Sequence, residues 1–111
     1  MVVSGMFNHT NPPTLGTPVI FIDDQRHPHA AITAQVLEAI NPDTDLPHLN
    51  LTVLHHTGHP YANRNIPPAY HDGSRHRIIQ RYIHPDSLLE LLQQGEVIPA
   101  PEKAVQSLGS L

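Results

Sequence analysis

The chain contains no cysteine and no tryptophan, and only 14% of its 111 residues are charged. Without Cys there can be no disulfide staple, thiolate zinc site or thiol nucleophile, so packing or partners must supply the stability. No apolar run approaches the ~20 residues of a membrane span, and Met1–Asn8 lacks both a basic start and an apolar core of signal-peptide length. The expectation is a soluble chain that is not exported by that route. Aromatics at 5% and apolar residues at 39% predict a modest core with many loops, which argues against a large enzyme cavity. A Walker loop, GxGxxG, GxSxG and HExxH are all missing, which disfavours nucleotide, acyl-transfer and zincin chemistry. Basic residues are scarce too. Six Lys and Arg against ten Asp and Glu give a formal charge of −4, a poor balance for general nucleic-acid binding.

What the chain does have is proline and histidine, with 12 of the first and 10 of the second. Its length allows one domain. Residues 1–17, with Pro12, Pro13 and Gly16 among Asn and Thr, read as an N-terminal arm. Residues 18–84 read as a small β domain. Val19-Ile20-Phe21-Ile22 is β-branched and aromatic and ends at a turn, Asp23-Asp24-Gln25-Arg26. Ala30–Ile40 is ambiguous: Ile32, Val36, Ala39 and Ile40 have helical spacing, while Ile32, Ala34 and Val36 alternate. Its first half is read as strand because it follows a hairpin-sized connection. Leu49, Leu51 and Val53 give the clearest alternation, Tyr61–Ile66 suits an edge strand stopped by Pro67-Pro68, and Arg77–Ile83 predicts the closing strand. About five short strands separated by turns predict a small barrel or sandwich. Residues 85–95, Pro-started and Gly-stopped, predict a short helix with Leu88, Leu89, Leu91 and Leu92. Residues 96–111 form a tail that packs on its own barrel or on a neighbour.

Three constellations could carry function. His27 and His29 on an extended segment would point to one side, with His55, His56 and His59 close in sequence, so a three-His metal site can be drawn. Against it, these residues flank Pro and Gly in predicted turns and lack acidic partners at ligand spacing, so no metal and no cofactor is expected. A pH-sensing role would need several of them buried or paired in one state. His71-Asp72-Gly73-Ser74 has the residue types of a hydrolase triad, but neighbours in a tight Asp-Gly turn diverge, and a turn is the reading. Asp23-Asp24 likewise reads as turn capping rather than a carboxylate dyad. In Arg75–Arg81, strand alternation would place Arg75, Arg77, Ile79 and Arg81 on one face, suited to reading phosphates or carboxylates. That face has no interleaved aromatics, which favours protein over nucleic acid as its partner.

The succession Pro18-Val19-Ile20-Phe21-Ile22-Asp23, Ala30-Ala31-Ile32-Thr33, Leu49-Asn50-Leu51-Thr52-Val53-Leu54, Gly58 and Ile66-Pro67 resembles a poorly characterised family of small proteins of tailed phages and prophages, similar to SH3-like β-barrels. The resemblance spans about residues 17–68. The chain departs from the family's pattern in lacking a Trp in the closing strand and in adding the leucine helix and tail. It implies an SH3-like barrel and a non-enzymatic virion component, a capsid decoration or minor capsid protein, with no catalytic residues to carry over. The expected partners are further copies of the chain or the major capsid protein, with no membrane. The contacts would come from Phe7 in the arm, the arginine face Arg75, Arg77 and Arg81, the four leucines, and Val105, Leu108 and Leu111 in the tail. The competing expectations are a head–tail connector and an intracellular nucleic-acid-binding or regulatory barrel.

Overall fold

Four apolar residues in a row can be stable in a strand only if both of its faces are covered, and both faces of β1 (Pro18–Ile22) are. Val19 and Phe21 enter one core with Ala31, Leu49, Leu51, Val53, Ile66 and Tyr82. Ile22 enters a second with Ala69, Ile78, Ile83, Leu91 and Val97, against which Ile20, Leu88 and Leu92 pack. The computed structural model describes residues 12–42, 44–55, 57–72 and 75–99. Their architecture is mainly β, a curled five-stranded antiparallel sheet forming a half-barrel with a short C-terminal helix, as the strand and turn pattern predicts.

The strand order is β4-β3-β2-β1-β7. β2 (Pro28–Ile40) is strand throughout, beyond the half that alternation supported. Register shifts between Thr33 and Gln35 and between Val36 and Ile40 explain the ambiguity. Ile32 lies opposite Thr52, whereas Val36 lies opposite Leu49 on the other face of the sheet, past the end of the covered core and exposed. An inserted residue that flips the faces turns a spacing of two into one that imitates a helix. β3 (Pro47–Leu54) buries Pro47, Leu49, Leu51 and Val53 in strict alternation. β4 (Pro60–Ile66) is the polar edge strand.

After β4 the chain passes along the opposite edge of the sheet, where it pairs with β7 (Arg81–Ile83). The Tyr82 amide donates to Pro67 O at 3.1 Å, and the Ala69 amide donates to Tyr82 O at 2.9 Å. Tyr82 then spans the barrel interior, its buried hydroxyl donating to Pro47 O at 2.7 Å. β5 (Tyr70–Asp72) and β6 (Arg75–Arg77) form a separate two-stranded ribbon.

The predicted strand Arg77–Ile83 is therefore two strands with a turn at Ile79-Gln80. Ile78 is drawn into the second core, Gln80 takes φ +59°, and its amide donates to Ile22 O at 2.8 Å. Tertiary burial of Ile78 overrides the local β preference.

The helix starts with a 3-10 turn at Pro85–Ser87, where His84 Nδ1 accepts from the Asp86 amide, and continues as α1 (Leu88–Gln93). Gly95 ends it at φ +76°, a left-handed conformation that costs glycine little. The next residues turn back so that Glu96 and Val97 donate to Leu91 O. Among the described residues no helix is long and apolar enough to cross a membrane.

Candidate interaction surfaces

Two turns and the ribbon bring cations together. Arg26 lies in the β1–β2 turn, Arg77 ends β6 and Arg81 begins β7; with His76, Ile78, Ile79 and Glu96 they line a cleft of about 450 Å³. Three of the six basic residues in a chain of charge −4 thus face one cavity. Arg81 is held by its Nη1 donating to Pro68 O at 3.0 Å and by the Tyr70 ring 5.2 Å away. Arg26 reaches Glu96 Oε1 at 3.2 Å, and Glu96 Oε2 is 3.5 Å from His76 Nδ1. Burial pushes the His76 imidazole below its ordinary pKa, with His71 and Arg26 adding to the shift and Glu96 and Glu90 opposing it. The turns that frame the cleft contain Arg26 at φ +69° and Gln80 at φ +59°. Backbone of this kind persists only where the surroundings enforce it.

The histidines separate into different settings. His27 Nδ1 donates to Ile98 O at 2.9 Å, whereas His29, buried, donates from Nε2 to Asp23 Oδ2 at 2.8 Å and stacks on His55 with ring centroids 5.4 Å apart. The expectation that His27 and His29 point to one side is corrected by this divergence. The β1–β2 turn leaves His27 beside the C-terminal segment, while His29 falls inside the pleat of β2. His55 accepts from the Thr57 amide and hydroxyl. His59 lies at the β3–β4 turn, where its carbonyl accepts from the His55 amide, and His56 is outside the described residues. Among the described residues no group of three or more His, Asp or Glu side chains could hold a metal ion.

Asp23 does cap its turn, accepting from the Gln25 and His27 amides at 2.8 Å each. It also pairs with His29 across the hairpin, a contact of i to i+6 that no local spacing rule anticipates. Burial raises the Asp23 pKa, but the hydrogen bonds from His29, His27 and Gln25 and the charge of His29 outweigh it and leave the carboxyl below its ordinary value.

A third surface is the far half of β2. Pairing with β1 ends at Ile32, and only Thr33 continues it, through Thr17 and Gly16. The segment Ala34–Ile40 keeps β3 on one side, with no strand on the other among the described residues. Its sequence, AQVLEAI, holds none of the Lys or Pro with which natural sheets protect an edge. Val36 and Ile40 are exposed there, as is Ile32 nearby.

The leucines do not form one outward face. Leu91 is fully buried in this chain's own second core, with Leu88 and Leu92 packed on it, and only Leu89 is well exposed. A helix this short, laid on a sheet, must spend its leucines there. The arginine face is corrected as well. The turn at Ile79-Gln80 breaks the alternation, yet it leaves Arg77 and Arg81 on one cleft and adds Arg26, which a strand pattern could not select. Arg75 lies at the start of β6. Phe7, Val105, Leu108 and Leu111 lie outside the described residues. The described part of the tail packs on its own barrel: Val97 is buried and the Ile98 amide donates to Arg26 O.

No family model matches the chain, and no curated protein or solved structure matches it either.

Proposed function

We propose that the protein is a non-enzymatic assembly module that adds the projecting half of β2 to a neighbouring subunit. The setting we propose is the one its resemblance implies, a phage particle in which it is a capsid decoration or minor capsid protein. The supporting observation is the edge of Ala34–Ile40, which extends past the end of β1, carries exposed Val36 and Ile40 and has no gatekeeping cation or proline. An extended edge strand offers unpaired amides and carbonyls to a matching strand, so backbone hydrogen bonds give affinity and alternate side chains give selectivity. A small domain with two thin cores gains stability from such a partner.

The test is incorporation. Quantitative mass spectrometry of purified particles should find the chain at a fixed ratio to the shell protein. A Val36→Lys/Leu37→Lys double variant with an unchanged circular dichroism spectrum should be lost from those particles. Retention of the variant at the wild-type ratio would remove the edge from the reading, and absence of the wild-type chain would overturn the virion setting.

A further inference from the structure

We propose that the cleft between Arg26, Arg77 and Arg81 is a binding site for an acidic peptide segment, with carboxylate side chains as the groups recognised. The inference uses other residues than the β2 edge and stands or falls independently of the assembly reading.

Charge is the first argument. The lining carries three guanidinium groups against one carboxylate, a net 3 − 1 = +2 with neutral His76, in a chain whose total is −4. Gathering half of a scarce cation set around one cavity makes it the place in an acidic chain where an anion is best received.

The second argument is that the cleft already receives a carboxylate. Glu96 sits on its rim between Arg26 and His76. Size is the third. About 450 Å³ is several times what a single oxyanion fills, and Ile79, itself exposed, supplies an apolar wall for the methylenes of a peptide chain.

Preorganisation is the fourth. Arg81 is anchored to Pro68 O and Tyr70 by contacts that use only one of its five N–H donors, and the fork left over suits a carboxylate. A nucleic-acid strand is the poorer match, because the wall offers isoleucines where bases would need aromatic platforms.

The full chain is titrated against fluorescein-labelled hexaglutamate, read by anisotropy, with hexaglutamine, inorganic phosphate and an oligothymidylate in parallel. The expected result is saturable, salt-sensitive binding of hexaglutamate and none of hexaglutamine. Arg77→Gln, an exposed change, should weaken it by roughly three- to tenfold. Glu96→Gln should tighten it severalfold by releasing Arg26 to the ligand. The proposal is overturned if hexaglutamate does not bind, or if Arg77→Gln with an unchanged melting temperature binds it as well as the wild type. It is equally overturned if Glu96→Gln leaves the affinity unaltered, or if phosphate or the oligothymidylate binds more tightly than the peptide.

Discussion

Asp23 shows how much one side chain can organise when the turn it starts also places its partner. It accepts two backbone amides at 2.8 Å and the buried His29 imidazole at 2.8 Å, so it both closes the β1–β2 hairpin and satisfies a polar group inside the barrel. Removing it in Asp23→Ala leaves those donors short of an acceptor, and the expected cost is about 2 kcal/mol, read from urea denaturation at neutral pH. Asp23→Asn keeps an oxygen for the amides but loses the charge, which separates capping from ion pairing.

The sign of the pH effect follows from the lowered carboxyl pKa. A group more acidic in the folded than in the unfolded chain stabilises fully above its ordinary value of 3.8 and loses that contribution as the pH falls through the lower folded value. The wild type should therefore exceed Asp23→Asn by a constant margin near neutrality. That margin should shrink as the pH drops below about 4. A margin that is flat down to the acid transition would contradict the lowered carboxyl pKa.

At the scale of elements, β7 is the piece on which the half-barrel depends. Only three residues long, it joins β1 on one side and the Pro67–Ala69 crossing on the other, and its central Tyr82 reaches through the core to Pro47 O at the start of β3. Burial raises the phenol's pKa well above the ordinary range, so it donates as a neutral hydroxyl at any working pH. Tyr82→Phe removes that donor and strands a carbonyl. The expected loss is about 1–2 kcal/mol in denaturant, with the spectrum of the folded state unchanged. Loss of the native spectrum would show instead that the bond is needed to hold β7 to the start of β3 across the core.

At the scale of the whole molecule, the boundary between domain and tail falls later than composition places it. Val97 is part of the second core, and Glu96 and Ile98 bind the β1–β2 turn through Arg26 and His27. Truncation after Gly95 should therefore destabilise the barrel by about 2–3 kcal/mol through loss of a buried Val and its neighbours' contacts. Val97→Ala in the full chain should lose stability in the same direction. Thermal unfolding of the two variants checks this, and a Val97→Ala chain as stable as the wild type would mean that Val97 adds nothing to the core.

Much of this fold is legible in the residues themselves. Leu49, Leu51 and Val53 announce β3, the Pro-start and Gly-stop announce the helix, and Asp23 announces a turn, because each signal acts within a few residues. Strand alternation grouped Arg77 and Arg81 with Arg75 on one face; the turn at Ile79-Gln80 breaks that alternation, and the two arginines share a cleft for a tertiary reason. Local signals could not supply Arg26, which is 51 positions before Arg77 and joins it only where the fold lines one cleft with both. Nor could they separate Leu91 from Leu89 by role or predict the partner of His29. The sequence by itself determined β1, β3, the polar edge strand β4 and the short helix, and where the sparse charges lie along the chain. Tertiary structure decided which face of β2 turns at its bulge, which leucines are consumed in the core and which cations share a cavity. Those outcomes depend on register and burial between elements far apart in the chain, and local preference carries no information about them.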